Sequence, residues 1–212
     1  MTIEPLVAGA ATLGFAWGLV SDRIAARWPA HEDGSVRAVD WRTPVVAFTG
    51  AIAFGGLASI FGGPGLAVLL VYATALVLLL ATDLDQRLLP DELTLPLVPL
   101  VAAVDLLGLN PLVGPGDLPF AIVTAIAIPA LLLVLSIPFG DGAIGMGDIK
   151  LLVSVGLLLG PLPAVSGLVS GALLAGVVVV ALLAARRVSL RTYIPFGPFL
   201  IVGALWGILG AR

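Results

Sequence analysis

Residues 81–91 read ATDLDQRLLPD and break a long apolar run that ends VYATALVLLL. Four charges, Asp83, Asp85, Arg87 and Asp91, fall within nine positions of a chain that is otherwise oily. A second break, GAIGMGDIKLL at 142–152, has the same form. What these two interruptions are for depends on what surrounds them.

The surroundings are apolar throughout. Of 212 residues, 60% are hydrophobic and 11% charged, and the mean hydropathy is +1.18. A soluble domain carries about 25% charged residues, so the chain reads as an integral membrane protein. A net charge of -3 says little at this charge density, and no basic patch suited to nucleic acid is present. The absence of cysteine excludes disulfides, thiolate catalysis and Cys-ligated zinc. The N-terminus, MTIEPLVAGAATLGFAWGLV, has no basic n-region and reads as a retained first span.

Lipid offers no hydrogen-bond partners, so each span is expected to be a helix of about 20 residues. Apolar segments fall at 5–22, 44–61, 65–82, 93–109, 119–138, 149–160, 163–184 and 196–211. The expected fold is all-α, a polytopic helix bundle of eight spans (range six to eight) that forms one domain over residues 1–212. The sixth segment is short and is expected to begin earlier, near Gly145. The breaks LGPLP and FGGPG predict tight turns between closely packed helices.

Eight spans with the N-terminus outside put the loops 23–43, 83–92, 139–148 and 185–195 in the cytoplasm. These loops and their flanks hold Arg23, Arg27, Arg37, Arg42, Arg87, Lys150, Arg186, Arg187 and Arg191, nine of the ten basic residues. That bias is what the positive-inside rule predicts. The longest polar stretch, about 21–44, is expected to lie along the cytoplasmic interface with Trp28 and Trp41 at headgroup level.

Asp83 and Asp148 then sit on the same side, at similar depth. Two carboxylates brought within reach share a proton instead of both ionising. One can act as base on water while the protonated partner polarises a carbonyl, a chemistry that needs no thiol, metal or cofactor. Gly145 and Gly147, lacking Cβ, permit close backbone approach beside Asp148. Lys150 is expected on another face of the helix from Asp148, in a structural or topological role, snorkelling to the interface, or contacting phosphate. The competing readings stay open: Asp148 as a helix cap and Asp83 as a helix end, or ion and proton handling. Asp85 and His31 are expected to be solvated. Pro90–Asp91 is expected to start a helix, with Asp91 structural. Arg87 is assigned either to lipid phosphate or to orienting a carboxylate. Asp105 is expected as a buried partner near the outer end of the fourth span, Asp117 in an outer loop, and Asp141 as the rival partner for Asp83.

The two interruptions together resemble the paired motifs of bacterial type IV prepilin peptidases, the GxGD intramembrane aspartic peptidases. ATDLDQRLLPDELTLP is similar to the first aspartate motif, in which Asp is followed seven residues later by Pro and then Asp. GMGDIKLL is similar to the GxGD motif, YIPFGPFLIVGAL to the last span, and GLVSDRIAARWP more weakly to the first cytoplasmic boundary. The resemblance implies an endopeptidase with Asp83 and Asp148 catalytic and Gly145, Gly147, Lys150, Arg87, Pro90 and Asp91 supporting them. It implies as substrates prepilins or pseudopilins of pili and secretion systems, cut at the cytoplasmic face of the inner membrane between a basic leader, commonly ending in Gly, and an apolar helix, commonly starting with Phe. Membrane lipid is the other expected partner. No cofactor is implied for proteolysis. Family members often also methylate the new N-terminus with S-adenosylmethionine, but this chain lacks the larger, cysteine-containing cytoplasmic domain usual there, which leaves methylation open. The alternatives are an inert assembly factor with a peptidase-like fold and a proton- or ion-coupled transporter.

Overall fold

Every backbone N–H and C=O in a lipid environment needs an internal partner, and a helix supplies one within each segment. The computed structural model describes residues 3–31, 34–140, 144–187 and 195–211. Among them are eight α-helices and no strand: α1 (Ile3–Ala25), α2 (Arg42–Ile60), α3 (Gly63–Gln86), α4 (Asp91–Leu106), α5 (Leu118–Ser136), α6 (Met146–Leu159), α7 (Pro161–Ala184) and α8 (Gly197–Gly210). A single 3-10 turn, Ile137–Phe139, follows α5.

The eight expected segments match the eight helices one for one. Four of them, α2, α3, α5 and α7, are long and apolar enough by length and composition to cross a membrane. Helices α4, α6 and α8, with 16, 14 and 14 residues, fall short of the roughly 20 a full crossing requires. The two glycine-proline breaks are tight turns: Gly63 opens α3 at φ 59°, and Gly160 joins α6 to α7 at φ 66°. The sixth helix starts at Met146, as its short apolar run implied.

One boundary differs in a way that matters. Helix α3 runs four residues past the apolar segment, to Gln86, and takes Asp83 and Asp85 into its last turn. It stops because Arg87 adopts the left-handed conformation (φ 58°, ψ 38°), with its N–H bonded to the Asp83 carbonyl at 2.9 Å. This is the αL stop usually assigned to glycine.

Helix α3 lies at the centre. Its Leu69, Tyr72, Leu76 and Leu79 are fully buried with Leu57 of α2, Leu151 and Leu158 of α6, and Ile201 and Ile208 of α8. Small residues bring the flanking pairs together: a Cβ on Gly14 would meet the Gly50 carbonyl of α2, and one on Gly167 the Gly203 carbonyl of α8. Such close approach is how helices associate where lipid removes the hydrophobic drive. The outward faces of α5 and α7 carry exposed Phe120, Ile126, Val134, Leu173, Val177 and Val180, as expected of surfaces that meet acyl chains.

Polar links inside the bundle are few. Trp17 donates its indole N–H to the Thr74 carbonyl (2.9 Å), tying α1 to α3. The Tyr72 hydroxyl lies 2.8 Å from Ser154 Oγ, tying α3 to α6. Ser154 also donates to the Leu151 carbonyl, 2.8 Å away. Tyr72→Phe therefore removes one buried bond and leaves Ser154 satisfied; the expected loss is about 0.5–1.5 kcal/mol in reversible unfolding in detergent micelles.

Candidate functional site

The last turn of α3, the first turn of α6 and the start of α8 converge on one cavity of about 180 Å³. Its lining includes Asp83, Arg87, Gly145, Gly147, Asp148 and Gly197. Both aspartates are buried, Asp83 at 4% exposure and Asp148 at 8%. They are close enough for the charges of Asp148 and Arg87 to bear on Asp83. The volume is well above the roughly 10–15 Å³ that one water requires.

The two carboxylates are satisfied differently. Asp148 is the third residue of α6, and its carboxylate accepts a hydrogen bond from the Gly145 N–H, so it reaches back to the helix start as the acidic half of a capping box does. The cap reading of Asp148 is thus correct as far as it goes, and the same side chain also faces the cavity. Asp83 has no such support. Its Oδ2 is buried without a hydrogen-bond partner among the described residues. A buried carboxylate oxygen left in that state is costly unless it holds a proton or a water.

Two glycines make the arrangement possible. An ideal Cβ on Gly197 would lie 2.5 Å from Asp83 Oδ2 and 2.8 Å from its Cγ. One on Gly147 would lie 2.7 Å from Leu89 Cβ, pressing on the chain that leaves α3. Gly147 belongs to the GMGD stretch singled out from sequence. Gly197 was missed as a site residue, together with Pro195 and Phe196 beside it, although they stand in the quoted YIPFGPF. The Gly-Pro pair at a helix start was the available signal, and nothing local says that it meets Asp83.

The remaining sequence candidates divide. Pro90 precedes α4, which begins at Asp91 as expected. Asp91 and Lys150 do not line the cavity; they pair with each other, Lys150 Nζ lying 2.6 and 2.7 Å from the two Asp91 oxygens. Lys150 therefore ties α6 to α4, the structural one of the roles expected for it. Arg87 lines the cavity mouth. Asp105 is half-buried and accepts from Asn110 Nδ2 at 2.7 Å, and Asp117 precedes α5. Asp141 lies outside the described residues.

Asp85 and His31 correct the sequence expectation. Asp85 is not solvated: its side chain is 2% exposed and meets Arg37 Nε (2.5 Å), Arg42 Nη1 (3.2 Å) and His31 Nε2 (3.1 Å). His31 is accordingly half-buried against it. Arg37 Nη2 also reaches Asp22 Oδ1 at 2.5 Å, and Arg37 Nη1 reaches Asp40 at 2.7 Å. Arg23 and Thr43 complete the surroundings of the fully buried Asp22. Burial opposes the Arg37 charge, but bonding to Asp22 and the charges of Asp22, Asp85 and Asp40 outweigh it and hold its pKa above the ordinary arginine value. The described residues of the polar stretch between α1 and α2 thus contribute to an ion-pair cluster seated on α3.

Residues 70–185, more than half of the chain, match the pattern of the type IV leader peptidase family. The chain belongs to that family. Among its relatives, a prepilin leader peptidase/N-methyltransferase of Aeromonas salmonicida (strain A449) is 36% identical over 155 residues, 68% of this chain and 51% of that protein. One from Burkholderia pseudomallei (strain K96243) is 35% identical over 169 residues, 76% of this chain and 52% of that protein. One from Dickeya chrysanthemi is 35% identical over 188 residues, 81% of this chain and 61% of that protein. The chain spans about half the length of the first two. No solved structure matches. This family member differs from the pattern expected of its longer relatives in having no cysteine.

Gly197 provides a direct check on the site geometry. Gly197→Ala must displace α8 or Asp83, with an expected cost of about 1–3 kcal/mol. Gly210→Ala, where an added Cβ meets nothing within 4 Å, should be neutral; thermal unfolding of both in detergent makes the comparison.

Proposed function

We propose that this leader peptidase family member is an intramembrane aspartic endopeptidase that removes the leader of prepilins or pseudopilins at the cytoplasmic side of the bacterial inner membrane. The observation that carries the proposal is the convergence of Asp83 and Asp148 on one cavity, with an Asp83 oxygen left unpartnered. The printed names of the relatives support the same reading.

The pair works with one proton between them. The ionised carboxylate takes a proton from water as that water attacks the scissile carbonyl, while the protonated partner gives its proton to the carbonyl oxygen. The tetrahedral intermediate collapses as a proton returns to the leaving nitrogen. Arg87, at the mouth, biases where the shared charge resides. Gly145 and Gly147 leave room for an extended substrate backbone, and Lys150 with Asp91 holds α6 against α4.

The charge distribution supports chemistry at the cytoplasmic side. On the reading of eight spans with the N-terminus outside, nine of ten basic residues fall on the cytoplasmic side. Helix α6 has 14 residues and is about 21 Å long, against a hydrocarbon core of about 30 Å. With its Gly160 end at the outer surface, Asp148 lies several ångströms inside the cytoplasmic boundary. A substrate helix can pack from the lipid while its leader stays in water, and the bond to be cut must unwind to reach the pair.

The names of the relatives also include an N-methyltransferase activity. The amine and ribose hydroxyls of S-adenosylmethionine call for acidic acceptors. Asp22, Asp40 and Asp85, the described carboxylates of the segment between α1 and α2 and its seat, are each held by arginines. The described residues there do not fit that group, and no methyl-transfer step is built on them.

The experiment is cleavage of a membrane-embedded prepilin by purified protein, read by product mass. Parent protein should release the leader, and Asp83→Asn and Asp148→Asn should each fall by at least about 1,000-fold while folding normally. Full cleavage by either variant would sink the pair; no cleavage by well-folded parent would favour an inert assembly factor. Added S-adenosylmethionine should leave the product mass unchanged.

A further inference from the structure

The ion-pair cluster plays no part in the proton chemistry just described, yet it closes on the turn of α3 that carries Asp83. Asp85 follows Asp83 by two residues, about 200° around the helix, so the two carboxylates leave α3 on opposite sides. Asp83 faces the cavity. Asp85 enters the cluster, where Arg37, Arg42 and His31 meet it from three positions along 31–42. The next residue adds a fourth tie: Gln86 Nε2 donates to the Pro29 carbonyl at 2.6 Å.

The other half of the cluster anchors the segment itself. Asp22, at the end of α1, is fully buried and engages Arg37, Arg23 and Thr43. Asp40 accepts from the Arg42 N–H (2.9 Å) and Arg37 Nη1 (2.7 Å) at the start of α2. The three arginines and three aspartates balance in formal charge, so the cluster is self-complementary.

We propose that residues 26–31 and 34–43 form a positioning strap which, through Asp85 and Gln86, holds the last turn of α3 so that Asp83 stays in register with Asp148. Asp85 is a positioning residue: it touches neither substrate nor the reacting atoms. The consequence for turnover rests on the peptidase reading, whereas the consequence for geometry does not. A misplacement of about 1 Å in a reacting group costs about 100-fold in rate.

The test exploits the absence of cysteine in the chain. Leu88→Cys and Met146→Cys, both exposed at the cavity mouth, carry a pair of spin labels whose separation reports the opening between α3 and α6. The strap predicts a narrow distance distribution in otherwise native protein. It predicts a broadened or shifted one when Asp85→Asn is added, and a smaller change with Gln86→Ala, which leaves every ion pair in place. In the unlabelled protein, Asp85→Asn should lower kcat by about 100-fold with KM changed less than about twofold. Its effect should be smaller on top of Arg37→Gln than in the parent, since the two variants share the Asp85–Arg37 contact while Arg42 and His31 still reach Asp85. An unchanged distance distribution in folded Asp85→Asn or Gln86→Ala protein overturns the strap. So does a loss of activity that only tracks the fraction unfolded. The distance measurement uses no substrate, so it stands or falls apart from the peptidase assignment.

Discussion

A carboxylate buried in an apolar bundle costs several kcal/mol unless something compensates it, and this protein buries four on one side. Asp22 and Asp85 are saturated by arginines, and Asp148 folds back onto the backbone N–H of Gly145. Asp83, two residues from Asp85, keeps one oxygen without a partner. The contrast between these neighbours in α3 defines the site. Three compensated acids build and hold a frame, and the uncompensated one faces a cavity beside a second acid.

The frame explains why short helices occur where they do. Helices α6 and α8 begin at the cavity, and each stops short of a full crossing. Their N-terminal ends meet there, and Gly145, Gly147 and Gly197 form walls around the aspartates. Helix α3 compensates in the opposite direction, extending beyond its apolar run until Arg87 turns left-handed.

Much of this was legible in the sequence, for physical reasons. Apolar runs must be helices in lipid, so the segments were readable to within a few residues, and the glycine-proline breaks at 62–65 and 160–163 marked real turns. Asp83 and Asp148 stood out because charge is rare beside long apolar runs. Lys150, Asp85 and Gly197 show what was not legible. Whether an ion is solvated or paired depends on what another segment brings to it: Asp91 to Lys150, and Arg37 to Asp85. Gly197 matters only because α8 crosses the end of α3, a contact between distant stretches that no local pattern encodes.

The central claim is that Asp83 and Asp148 act as one coupled acid–base unit. Infrared difference titration of the carboxyl C=O band tests it most directly, comparing parent protein with single variants in which one aspartate is replaced by Asn. The parent should titrate in two separated steps that belong to the pair, and each variant should show one step displaced from both. A parent curve equal to the sum of the two single-aspartate curves would mean that the carboxylates titrate independently, and would contradict the account.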